Sequence, residues 1–136
     1  MRIEEFEIVA GGTAEGRALT SQTPLSFWGG VDVATGMVQD IHNELNGSCM
    51  TGRVLCIPFD RGSCSGSGIM LEMIRRGTNP AALLCVEAEA VLALAPLVGE
   101  ALYGRTVPIR TVPREVFDCI EDGSAVTFLE DAIVVE

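Results

Sequence analysis

At 136 residues, 48% of them apolar, the chain has material for one domain with a moderate core and too much apolar content for a disordered segment. A net charge of −10, with scattered arginines and no lysine, excludes the basic stripe of a nucleic-acid-backbone binder. No apolar run approaches the roughly 20 residues that cross a bilayer, and the opening MRIEEFEIVAGG carries acids where a secretory leader carries bases, so a soluble cytoplasmic protein is expected.

In chain order, Phe6 to Val9 and Arg17 to Thr20 read as short strands joined by a turn at Gly11 and Gly12. Pro24 to Asp32, PLSFWGGVD, reads as a loop. Its aromatics, Phe27 and Trp28 between Ser26 and Gly29-Gly30, suit either a plug for the core or an anchor for a partner. Met37 to Ile41 reads as a strand and Asn43 to Ser48 as a turn. Val54 to Ile57 is a buried-strand run ended by Pro58, and Ile69 to Arg76 mixes apolar and charged residues as a helix closed by Gly77. Ala82 to Val86 is a second buried strand. Val91 to Tyr103 has Glu100 as its only charge and reads as a heavily buried helix that Pro96 kinks or restarts. Thr106 to Arg110 is a third strand, Arg114 to Cys119 a short helix, and Ala125 to Leu129 with Ile133 to Val135 a closing pair around Glu130 and Asp131. Alternating buried strands and helices without linker or repeat predict one α/β domain over residues 1–136, with parallel pairing.

The chemistry concentrates between Asp60 and Gly68, DRGSCSGSG, where a strand runs into a helix. Gly62, Gly66 and Gly68 let backbone approach a ligand, Ser63, Ser65 and Ser67 offer hydroxyls and caps, and a helix start presents free N–H donors to a carboxylate or phosphate. The local pattern fits a plain capped turn equally well. With no lysine it is not a Walker-type nucleotide loop.

Cys49, Cys56, Cys64, Cys85 and Cys119 form no Cys-x-x-Cys pair, and the single His42 supplies no ligand spacing, so no metal site is expected from this chain alone. Cys56 and Cys85, inside strand-like runs, read as small core hydrophobes. Cys64 competes as a thiolate near a helix start, where its pKa would fall.

The segments EGRALTSQTPLSFWGGVDVATG, GRVLCIPFDRGSCSGSG, RRGTNPAALL and EALYGRTVPI, in this order, resemble the small subunit or swivel domain of the aconitase X family, from about Glu15 to Ile109. The resemblance implies a swivelling β/β/α domain like the mobile fourth domain of aconitases. It implies a dehydratase (hydro-lyase) subunit acting with a large aconitase X partner that carries iron or an iron–sulfur cluster. Substrates in the family are hydroxy acids, cis-3-hydroxy-L-proline in bacterial forms and mevalonate 5-phosphate in archaeal ones. The family's loop serine falls on Ser63, which is then the catalytic base, with Gly62, Cys64 and Ser65 as substrate-binding neighbours and Ser26, Phe27, Trp28, Gly29 and Gly30 as the partner-facing loop. Archaeal members continue that loop with Thr-Val-Gly-Ser, whereas this chain has Cys64-Ser65-Gly66-Ser67, which favours the hydroxyproline branch. A non-catalytic binding or regulatory subunit of the same fold is the alternative.

Overall fold

The computed structural model describes residues 1–59 and 66–136, together with the backbone but not the side chains of Cys64 and Ser65. In chain order the elements are β1 (Arg2–Ile3), β2 (Glu7–Ala10), β3 (Ala14–Thr20), α1 (Phe27–Gly30), β4 (Val31–Asp32), β5 (Met37–Val38), β6 (Val54–Cys56), α2 (Cys64–Arg76) and β7 (Ala82–Cys85). A 3-10 turn (Ala90–Ala93), α3 (Leu94–Tyr103), β8 (Ile109–Thr111), α4 (Arg114–Phe117), β9 (Ala125–Phe128) and β10 (Ile133–Val135) complete the chain.

The main sheet runs β1-β10-β9-β3-β6-β7-β8-β2. Strands β3, β6, β7 and β8 pair in parallel, as the alternating pattern predicts, while both flanks are antiparallel. Parallel strands are covered on both faces, and the alternating side chains divide accordingly. Leu19, Leu55, Leu83 and Ile109 join Met70, Met73 and Ile74 of α2 in one core. Ala18, Val54, Ala82 and Leu84 join Val126, Phe128, Ile133 and Val135 in the other. The sheet therefore curls at β3 so that its antiparallel end covers the parallel part, giving β/β/α layers.

Arg110 closes the curl. It is 1% exposed on β8, on the side of the second core. Its guanidinium donates to Ala132 O (3.0 Å), Gly12 O (3.3 Å) and Leu129 O, and lies 4.5 Å from the Phe6 ring centroid and 4.8 Å from that of Phe128. Burial lowers its pKa.

Several expectations need correction. β2 and β3 are not hairpin partners across Gly11 and Gly12; β2 pairs with β8 and β3 with β6 and β9, because the parallel sheet takes β3 as its central strand. The strand expected to reach Ile41 stops at Val38, where Asp40 turns the chain by accepting from His42 N (2.9 Å) through Oδ1 and from Asn43 N (3.1 Å) through its carbonyl. The strand expected over Thr106 to Arg110 is shifted to β8. Helix α2 begins at Cys64, so Ser65, Gly66, Ser67 and Gly68 belong to its first turns rather than to a loop. Pro96 does restart the helix, sitting in the first turn of α3, where its missing N–H costs no intrahelical bond. The heavy burial expected of that helix holds on one face only. Ala95, Pro96 and Gly99 are buried, and a Cβ on Gly99 would come within 2.9 Å of Ile74 Cγ2, so the glycine is what lets α3 lie close on α2. Leu94, Leu97 and Leu102 are 50%, 65% and 64% exposed. Among the described residues no helix is long and apolar enough to cross a membrane.

Candidate functional site

The carboxyl ends of β3, β6 and β7 lie side by side in the parallel sheet, the end at which open α/β sheets present their ligand-binding loops. Three connections leave from this end: Ser21 onward to α1, Ile57 onward to α2, and Val86 onward to the 3-10 turn. Ser63 and Gly62 fall between Ile57 and α2 and lie outside the described residues, as do the side chains of Cys64 and Ser65. The frame around them is described.

Helix α2 has no acidic residue in its first turn, while Arg75 and Arg76 sit in its last. Its dipole is thus compensated at the C-terminus, while no acid within its first turn opposes the positive end. Glu72 ties both arginines by hydrogen bonds that lower its own pKa. Ser67 Oγ donates to Val91 O (2.7 Å), which fixes the early turns of α2 to the 3-10 turn.

The Trp28 segment packs beside α2, and its two aromatics divide the roles that the sequence left open. Phe27 is fully buried in the core with Met70 and Met73, whereas Trp28 is 65% exposed. The expected loop is instead a tight turn: Trp28 leaves helical geometry, Gly29 takes φ 77°, and Ser26 Oγ donates to Trp28 O (3.1 Å). Gly30 O accepts from Gln39 N (2.9 Å), which ties the end of the turn to the stretch after β5.

Two buried polar residues that the sequence did not single out hold this segment. Asn43 Nδ2 donates to Thr23 Oγ1 and Pro24 O, each at 3.1 Å, and Asn43 Oδ1 accepts from Leu45 N (2.8 Å). Ser21 Oγ donates to Thr23 O (2.8 Å), and Ser21 N to Cys56 O (2.9 Å) at the end of β6. Asn43 was legible only as a turn former; its burial depends on a contact 20 residues away. Phe59, 43% exposed, lines a cavity of about 180 Å3 with Glu87, Ala88 and Glu89. A larger cavity of about 470 Å3, at Phe6, Val86 and Val112, opens toward β2 instead.

Cys56 and Cys85 are buried, as expected of core thiols, while Cys49 and Cys119 are exposed. Burial, with the Asp122 carboxylate adding to it, pushes the Cys56 thiol from 9.0 up to about 12. The unfolded chain then loses this proton first, so the stability due to Cys56 is complete below pH 9 and declines toward pH 12. A slope of about 1.4 kcal/mol per pH unit is expected in that window. Urea unfolding between pH 8 and 10.5 is expected to fall more steeply for the wild type than for Cys56→Ala; parallel curves would refute this. No group of three or more His, Cys, Asp or Glu side chains that could hold a metal converges among the described residues.

Known proteins share this architecture. The aconitase X swivel domain matches residues 3–136. The chain is 49% identical over 98 residues, 72% of its length, to the cis-3-hydroxy-L-proline dehydratase of Pseudomonas aeruginosa, but spans 17% of that protein. It is 39% identical over 98 residues to the phosphomevalonate dehydratase small subunit of Thermococcus onnurineus and spans 75% of it. The holo-form crystal structure of Thermococcus kodakaraensis aconitase X superposes with a TM-score of 0.87 at 25% identity, covering 100% of this chain and 98% of that one. The chain belongs to the aconitase X swivel-domain family.

Proposed function

We propose that this chain is the small subunit of an aconitase X-type dehydratase, that it supplies Ser63 as the base, and that its substrate is cis-3-hydroxy-L-proline. The observation that carries the reading is the junction of β6 and α2: the family's loop serine falls immediately before a helix whose first turn carries no acid and which follows the carboxyl end of a strand in a parallel sheet. The 49% identity to a cis-3-hydroxy-L-proline dehydratase supports the substrate.

In this reading Ser63 takes the proton from the carbon next to the substrate carboxylate, and hydroxide leaves from the neighbouring carbon as the double bond forms. A free serine is far too weak an acid to act as an alkoxide near neutral pH. Backbone N–H groups at the start of α2, including those of Cys64 and Ser65, would stabilise the oxyanion or orient the substrate carboxylate. In this reading the iron or iron–sulfur centre is carried by the larger chain. Separate small-subunit relatives of comparable length favour mevalonate 5-phosphate as the second reading.

The test is anaerobic reconstitution with iron and a large aconitase X chain from the same organism, followed by assay of water loss from both substrates. Dehydration of cis-3-hydroxy-L-proline by the mixture, and by neither chain alone, is expected. Turnover of mevalonate 5-phosphate alone would replace the substrate, and no turnover of either would overturn the enzyme reading.

A further inference from the structure

Both substrates weighed above carry a carboxylate, and the chain proposed to receive it has a net charge of −10. With no lysine present, its arginines are the cations that can meet that group. Arg17 and Arg53 directly precede the paired stretches of β3 and β6, at the amino edge of the parallel sheet. Arg75 and Arg76 close α2, where Glu72 ties both, and Arg105 Nη2 donates to Arg75 O (3.2 Å) at the same end. Arg2 is ion-paired to Glu4 and Asp131 at the edge strand β1, and Arg110 is enclosed in the second core. Among the described arginines, Arg114 alone follows the carboxyl end of a parallel strand, β8, and it reaches back to the carboxyl end of another. Its Nη2 donates to Gln22 Oε1 (3.3 Å), two residues beyond Thr20, which pairs with Cys56 at the end of β6. This is the edge at which open α/β sheets bind their ligands.

We infer that Arg114 receives the carboxylate of the hydroxy-acid substrate through Nη1 and Nη2, with Gln22 as its positioning residue. The inference deepens the proposed function and rests on it. The guanidinium is aimed without being used up. Its Nε lies 3.3 Å from Asp118 Oδ1 and its Cζ 5.8 Å from the Phe117 ring centroid, while Nη1 has no partner among the described residues. The side chain is 51% exposed, so a solute can reach it. Gln22 is anchored in turn: its N donates to Glu44 Oε1, and Ser21 N beside it donates to Cys56 O (2.9 Å). The fork of a guanidinium presents two parallel N–H groups that match the two oxygens of a carboxylate. The Gln22 bond, at 3.3 Å, is long enough to be exchanged for a shorter, charge-assisted one. Asp118 is the internal competitor, since its carboxylate already draws on the same cation. With the substrate carboxylate on Arg114, the backbone donors at the start of α2 are left for the oxyanion.

Steady-state kinetics of the reconstituted dehydratase test this, with KM read for whichever of the two substrates the wild type turns over, since both carry the carboxylate. Arg114→Gln is expected to raise KM about 10- to 100-fold with kcat little changed, the loss of charge-assisted hydrogen bonds made equally in the ground and transition states. Arg114→Lys, charged but without the fork, should recover part of that loss. Asp118→Asn should act in the opposite direction and lower KM about two- to threefold, the scale of an exposed ion pair, a gain that damage to the fold does not produce. Arg76→Gln removes the same charge at the far edge of the sheet and should leave KM unchanged, which separates local contact from net charge. A KM unchanged in Arg114→Gln, or raised equally in Arg76→Gln, would overturn the assignment and leave the proposed function standing. No turnover of either substrate by the wild type would overturn both.

Discussion

Ser63→Ala is expected to lower turnover of the reconstituted enzyme by about 10²- to 10⁴-fold, the range for loss of a positioned general acid or base. Association with the larger chain should be unchanged, because the alanine removes one hydroxyl and no apolar surface. The loss should appear in kcat rather than KM if the substrate carboxylate is held by backbone donors at the start of α2, which the substitution keeps. Cys64→Ser separates the two candidate bases of the loop. Retention of most activity there, with its loss in Ser63→Ala, assigns the base to the serine. Near-wild-type turnover in Ser63→Ala, or collapse only in Cys64→Ser, would remove Ser63 from the mechanism. The reading asks the helix to stabilise an oxyanion, and α2 suits this because no acid occupies its first turn.

The parts of this fold that the sequence made legible are those whose signal is local. Val54 to Cys56 and Ala82 to Cys85 are continuous apolar runs because both faces of β6 and β7 are covered, so their identity as buried strands needs no knowledge of partners. The β9–β10 pair is marked by its own turn residues. Pairing over long separation was not legible: β3 looks like a hairpin partner of β2 until β6 and β9 flank it. Periodicity showed that Val91 to Tyr103 is apolar but not that its two faces meet different environments, since nothing in a helix's own sequence says which neighbours exist. The same limit hid the division between Phe27 and Trp28, and the burial of Asn43. At the site, the strand-to-helix junction was legible; the scaffold of Ser21, Asn43 and Ser67 that holds the flanking segments was not, because it consists of side-chain hydrogen bonds between distant segments.

Arg110 is the least expected residue of the fold, and replacing it is expected to have the largest effect on stability. An arginine at a strand position is ordinarily read as facing solvent, yet this one is 1% exposed, and no carboxylate among the described residues forms an ion pair with it. Two effects oppose each other. Desolvating the cation is costly, which is why its pKa is lowered, and an apolar side chain in its place would avoid that cost. Against this stand hydrogen bonds to the carbonyls of Gly12, Leu129 and Ala132 and the faces of Phe6 and Phe128. Ala132 O also accepts from Leu129 N (2.8 Å) and keeps that bond when the guanidinium is removed. The carbonyls of Gly12 and Leu129 lose a charge-assisted donor, each at a cost of about 1–3 kcal/mol. The carbonyl loss outweighs the relief, because these groups belong to the β9–β10 turn and the turn before β3, and the contacts hold the curled end of the sheet against β8. Arg110→Met, which still fills the slot between the rings, is therefore expected to destabilise by about 3 kcal/mol, a fall in Tm of roughly 10 °C. Arg110→Lys, with a single ammonium unable to span three carbonyls, should fall between Met and the wild type. A Met variant as stable as the wild type would show that desolvation dominates and that the curl is held by the two cores alone.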